Sequence, residues 1–388
     1  MTKIYVSHNN IVSCLGLDSE TVVNAVRDEL SGLGLVEDAA LLPVPFYASV
    51  LDREKLTVAF HNLNPKKNYT RLERMMILSL DEVVKASKLP LNDRVGLVIA
   101  TTKGNIDALE GASPFPRERA YLAQLGMVLK DFFGFQNEAI VLSNACVSGI
   151  LAISVAKRYI RRGVYDHVFV VGGDLVTKFI LSGFNSFQAL STMPCKPYDE
   201  GRSGINIGEA AASVLVTSSK ENLAEQSVEV LGEGTCNDAN HISGPSRSGE
   251  GLYRSVHSAM QEARIDVKDI DFISAHGTAT VFNDEMEAIA FNRLGLGRTP
   301  LNSLKGYFGH TLGASGLLET VIGMHSLHQN TLFRSLGYET RGTSQPLNVI
   351  HRTTPRELNV FLKTASGFGG CNTSAVFKRV KDWNKERR

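Results

Sequence analysis

A chain of 388 residues is long enough for two packed halves that each bury a substantial core, and 43% hydrophobic against 21% charged residues, with no low-complexity tract, excludes long disorder. Lys plus Arg number 41 and Asp plus Glu 40, so the formal net charge of +1 gives no global field for nucleic acid or an anionic membrane, and neither is expected as a partner. The start Met1-Thr2-Lys3-Ile4-Tyr5 lacks a basic segment followed by an apolar run, and no stretch approaches a membrane-spanning helix, which predicts a cytoplasmic protein.

Short β-branched runs alternate with helical stretches along the chain. Residues 95–100, 139–142 and 168–171 read as buried strands of a layered α/β fold, bounded by Gly, Asn or Asp. The rhythm returns at 271–275, 299–302 and 359–362, with a helix predicted over 283–294. Between them, the polar stretch 220–226 reads as a surface connection. It divides the chain into residues 1–219 and 220–388, an architectural duplication without a visible residue-level repeat. The five cysteines, Cys14, Cys146, Cys195, Cys236 and Cys371, are widely spaced, odd in number and form no C-x-x-C pair, so neither disulfide framework nor zinc site is expected.

Ser143-Asn144-Ala145-Cys146-Val147-Ser148-Gly149 follows a predicted strand and opens a helix that runs to about Arg162, with Gly163 as its cap. A thiol in such a turn sits at the positive end of the helix, where unpaired N–H groups lower its pKa and its own N–H can face an oxyanion. The helix is apolar through Ile150, Leu151, Ile153 and Val155 and basic at Lys157, Arg158, Arg161 and Arg162, so its start should be buried and its end wet. Cys146 alone also reads as a small buried hydrophobe.

The strand over 271–275 delivers His276-Gly277-Thr278-Ala279-Thr280 at its carboxyl end, followed by Asn283-Asp284-Glu285 opening a helix. Next come Lys305 and His310 within the glycine-rich run Asn302 to Gly316, leading into the helix that bears Glu319. Last, Thr364-Ala365-Ser366-Gly367-Phe368-Gly369-Gly370-Cys371-Asn372 reads as a glycine-rich loop between two strands, whose backbone could approach a thioester and supply a second N–H to an oxyanion. Each feature alone has a plain structural reading: a satisfied histidine, a solvated lysine, a turn.

In this order the four segments resemble the signatures A-C-x-S-G, H-G-T-x-T, K-x-x-x-G-H-x-x-G-A-x-G and G-F-G-G-x-N of the β-ketoacyl-acyl-carrier-protein synthases of the elongating Cys-His-His class. The resemblance implies the thiolase-like α/β fold, two duplicated halves in five α-β-α-β-α layers. It also implies an acyltransferase: Cys146 as acyl-accepting nucleophile, with the N–H groups of Cys146 and Phe368 as its oxyanion hole. By the same resemblance His276 and His310 bind the malonyl thioester carbonyl, Lys305 positions them and pairs with Glu319, Asp284 supports the site, and Phe368 with Gly369 forms a gate. No cofactor or metal is implied. An acyl carrier protein is the expected partner, docking on a basic patch at Lys66, Lys67 and Arg71, or at Arg158, Arg161 and Arg162. A homodimer is implied, with a heterodimer as the alternative.

Cys371 stands where the elongating family usually has Thr and reads as structural, which disfavours a thiolase with a second catalytic Cys. Departures at 101–136, Ser203, the run from Gly208 to Ala211, and Ser366 suggest a divergent synthase of a fatty-acid or a specialised polyketide or polyene pathway. The rival readings are a chain-length-factor-like or decarboxylating partner subunit, which commonly loses the nucleophile, and a scaffold protein whose site is a relic.

Overall fold

Two sheets of matching design, continuous with each other as one run of eleven strands, form the frame of this computed structural model, which describes residues 2–111, 113–238 and 244–380. The first sheet holds β1 (Tyr5–Ser13), β2 (Val95–Ala100), β3 (Ile140–Leu142), β4 (His167–Asp174) and β5 (Ala210–Thr217) in the order β1-β5-β4-β2-β3. The second holds β6 (Val228–Asn237), β7 (Phe272–Ser274), β8 (Pro300–Asn302), β9 (Asn348–Val349), β10 (Val360–Gly367) and β11 (Cys371–Arg379) in the order β6-β11-β10-β7-β8-β9. From the centre outward each sheet runs through two antiparallel pairings and then parallel ones, two in the first sheet and three in the second. The sheets meet where Tyr5 and Val6 of β1 pair with Glu229 and Val228 of β6.

Helices fill the space between the sheets and cover their outer faces. The principal ones are α1 (Arg71–Ser87), α2 (Ser148–Arg161), α3 (Lys178–Ser186), α4 (Glu250–Ala263), α5 (Val281–Arg293) and α6 (Ser315–Gln329). Helices α2 and α6 lie between the sheets and touch strands of both. Every residue of α6 from Ser315 to Leu327 is buried, as a helix walled on all sides requires. Side chains alternate faces along the strands: Val98 and Val170 point to the central layer, while Leu97, Ile99 and Val171 point to α1. In the second sheet Phe361 faces inward and Leu362 outward, toward α4 and α5. The result is five layers, α-β-α-β-α, as the resemblance implies. Among the described residues no helix is long and apolar enough to cross a membrane.

Two findings differ from the sequence reading. The basic end of α2 is not uniformly wet: Lys157 is fully buried, its Nζ 2.7 Å from Glu262 and 3.7 Å from Glu233, because α4 and β6 close over it. The strand β1 was not expected at all. Its polar run Ser7-His8-Asn9-Asn10 carries a register shift between Ser7 and Asn9, and its side chains are satisfied from outside the ladder, Asn10 Oδ1 accepting from Ser19 N–H and Ser7 Oγ from Ala224 N–H.

Candidate active site

The nucleophile candidate sits on a strained connection. Between β3 and α2, Ala145 takes φ +45°, a left-handed conformation that L side chains rarely adopt. Ser148 fixes it, its Oγ accepting from Asn144 N–H at 2.8 Å and donating to Ala145 O at 2.7 Å. The turn aims Cys146 into a cavity of about 460 Å³ that His276, His310, Phe184, Phe187, Ile205 and Phe368 also line. Across from it runs the β10–β11 hairpin. A Cβ added at Gly367 would lie 3.0 Å from Cys146 N, so only glycine lets the two backbones come this close.

The thiol is not acidified as the helix end alone would predict. Burial pushes it up to about 12, with Cys371 adding to the rise, and outweighs the lowering by Lys305 and by the Phe368 N–H. Desolvation of a fully enclosed thiolate exceeds what one helix terminus returns.

Cys146 Sγ and a ring nitrogen of His276 and of His310 lie within 4.8 Å of one another, and the two rings meet edge to face at 5.1 Å. At His310, Nδ1 accepts from Leu312 N–H at 3.2 Å. The ring proton is therefore on Nε2, which has no partner and is a free donor in the cavity. Burial, with Lys305 and Lys363 adding, holds both imidazoles well below the usual histidine range, so both are neutral. No other trio of metal-ligating side chains so close is found among the described residues, but the buried ammonium groups beneath it disfavour a cation.

Beneath the histidines lies a buried ionic cluster. Lys305 Nζ pairs with Glu319 Oε1, and Lys363 Nζ lies 2.7 Å from Glu319 Oε2. On α5, Asp284 accepts from Thr278 N–H at 3.0 Å and Tyr198 N–H at 2.7 Å, and burial with Glu287 nearby holds its carboxyl up to about 7. Glu287 accepts from His276 N–H at 2.9 Å and Gly277 N–H at 2.7 Å, and so fixes the histidine loop. The sequence reading brought neither Lys363 nor Glu287 forward. Lys363 was marked only by a lysine inside the run Val360-Phe361-Leu362-Lys363-Thr364-Ala365, and Glu287 by its place one turn after Asp284.

The Phe368 ring stacks on Phe184 at 5.5 Å and meets Phe187 edge-on at 5.4 Å, and Gly369 behind it takes φ +84°. Cys371 Sγ lies 3.3 Å from Phe368 O and 3.8 Å from Asn144 O, tying the hairpin to the nucleophile turn. Ser203 and Ser366 also line the cavity. The basic patches change on folding: Arg71 is drawn into an ion pair with Glu209, while Arg158 and Arg161 pair with Glu233 and Glu262. Lys66 and Lys67 remain exposed.

The model of the β-ketoacyl synthase N-terminal domain matches residues 23–222, and that of the C-terminal domain matches 228–339. A 3-oxoacyl-(acyl-carrier-protein) synthase 2 from Staphylococcus aureus is 30% identical over 81% of this chain and 86% of its own length. Its namesake from Rhizobium meliloti is 35% identical over 61% of this chain and 59% of that protein. Among solved structures, a ketosynthase in complex with its chain length factor from Xenorhabdus doucetiae superposes with a TM-score of 0.86 at 24% identity, over 98% of both chains. The ishigamide ketosynthase/chain length factor gives 0.88 at 22% identity, over 98% of this chain and 99% of that one. At these identities the structural likeness shows the fold.

Proposed function

The chain belongs to the β-ketoacyl synthase family, and from that premise we propose that it condenses an acyl thioester with malonyl thioester at Cys146, in fatty acid or polyketide biosynthesis. The observation that carries this reading is the convergence of one thiol and two neutral imidazoles on one cavity.

In the first step the Cys146 sulfur attacks the acyl carbonyl carbon, the carrier thiol leaves, and the thiol proton passes to that leaving sulfur, so no net proton is released. The Cys146 and Phe368 N–H groups hold the oxyanion. Malonyl thioester then enters with its carbonyl oxygen at His310 Nε2–H and His276. Its C–C bond to the carboxylate breaks, carbon dioxide leaves with no electrons from that bond, and the pair forms an enolate held by the two imidazoles. The enolate carbon attacks the acyl carbonyl, the bond to Cys146 Sγ breaks, and the released thiolate takes up one proton from water, the proton that the overall condensation consumes. Neutral imidazoles suit this role because they donate to the enolate without protonating its carbon.

Phe368, between Phe184 and Phe187, gates the cavity, and Gly369 gives the hairpin the freedom to move it. Residues 1–219 supply the nucleophile and residues 220–388 the histidines, the lysine and the gate. An acyl carrier protein delivers both thioesters in the cytoplasm, Lys66 and Lys67 being its docking charges. The enzyme works as a dimer, either with its own copy or with a related subunit. The intact Cys146 argues against a chain-length-factor role for this chain.

The test follows product mass after incubation with malonyl and acyl carrier-protein thioesters. A β-ketoacyl product that disappears with Cys146→Ala is expected. Failure of Cys146 to load from any donor would overturn the reading and favour a partner subunit.

A further inference from the structure

Lys363 stands in the middle of β10 with no solvent exposure, on the face that Phe361 and Ala365 turn toward the central helices. A valine there would continue the strand without burying a charge, whereas enclosing an ammonium costs several kcal/mol unless it is fully partnered. This one is. Its Nζ lies 2.7 Å from Thr364 O, 3.0 Å from Ser274 O and 3.4 Å from Ala275 O, besides the Glu319 carboxylate at 2.7 Å. Ser274 and Ala275 are the two residues that lead directly into His276. Glu319 in turn holds Lys305, five residues before His310. A local rule is broken at a place where both histidine segments are joined.

We propose that Lys363 is a positioning residue of the condensation site: it ties the strand end that carries His276 to Glu319 and Lys305, and it gives the trio Lys305, Glu319 and Lys363 one net positive charge beneath the reacting groups. The charge count is two ammonium groups against the single carboxylate of Glu319. Asp284 and Glu287 lie outside this trio, bonded to the backbone N–H groups of Thr278, Tyr198, His276 and Gly277, and burial raises both carboxyls, Asp284 to about 7. Facing His276 are Lys305, His310, Lys363 and Cys146; facing His310 are Lys305, Lys363, His276 and Cys146. The two ammonium groups add to burial in keeping the imidazoles neutral, and they stabilise the negative charge that passes from carboxylate to enolate to thiolate during turnover.

The inference rests on the condensation reading and is tested in two ways. Lys363→Met removes the charge and leaves Lys305 paired with Glu319; Lys363→Met with Glu319→Gln leaves Lys305 alone and restores the count to +1. For decarboxylation of malonyl carrier-protein thioester, Lys363→Met is expected to lower kcat at least about tenfold with KM within about threefold, and the double variant to recover part of that loss. A wild-type kcat, or a double variant worse than the single with the loss tracking Tm, would overturn it. If Lys363→Met does not fold, Lys363→Gln keeps a donor for the Ser274 and Thr364 carbonyls and takes its place. Histidine NMR titration of the full chain reads the same charge without turnover: His276 and His310 should take up protons about half a pH unit or more higher in the variant. Identical titrations would overturn the proposal, whereas a wild type that releases no carbon dioxide speaks against the condensation reading instead.

Discussion

Cys146 follows β3 and precedes α2; Lys305 and His310 follow β8 and precede α6; and β3 and β8 hold the same place in their two sheets. From this shared plan the halves make opposite things. The first places a thiol on a strained turn in apolar surroundings, where burial keeps it protonated, up to about 12. The second encloses Lys305, Lys363, Glu319, Asp284 and Glu287 around two neutral imidazoles. In the proposed reaction one half of a duplicated scaffold holds the nucleophile and the other the groups that stabilise the enolate, and the two are joined by the packing of α2 on α6.

The comparison breaks most sharply at the sulfur. Cys146→Ala should lower acyl transfer by at least about a thousandfold, read as acyl loading by mass spectrometry, because the groups around a nucleophile have little to act on without it. In the second half, Glu319→Gln leaves two enclosed ammonium groups without their carboxylate. Its expected destabilisation is about 3–5 kcal/mol in urea unfolding, the range for removing one side of a buried ion pair. A loss under about 1 kcal/mol would mean that the cluster is hydrated.

Gly149→Ala probes the contact between the halves, since the added Cβ would lie 2.7 Å from both Gly313 O and Leu317 N. About 1–3 kcal/mol of destabilisation is expected from overpacking. Gly183→Ala on α3, where nothing lies within 4 Å, should instead stabilise by about 0.5–1 kcal/mol. The thiol itself is read by its alkylation rate. Only the thiolate alkylates, and at pH 7 to 9 the sulfur is far below its midpoint, so iodoacetamide labelling of Cys146 should rise about tenfold per pH unit without a plateau. Cys146→Ala is the control, since Cys236 is partly exposed. A plateau below pH 8 would show that the helix end prevails over burial.

The layered α/β class, most of the parallel strands as segments and the four glycine-bearing segments are legible in the sequence, because apolar runs and turn chemistry are local properties of consecutive residues. The sequence also pointed to Cys146, His276, Lys305 and His310, each at the end of a legible strand. Only the tertiary structure decided the rest. Strand β1 hides behind polar side chains whose partners come from distant segments, such as Asn9 bonding His325. Arg71, Lys157, Arg158 and Arg161 look like solvent-facing charges until Glu209, Glu233 and Glu262 are folded onto them. The high affinity of Cys146 for its proton and the second lysine on Glu319 have the same origin: burial and charge pairing depend on groups brought together from far along the chain, and local residue pattern carries no record of them.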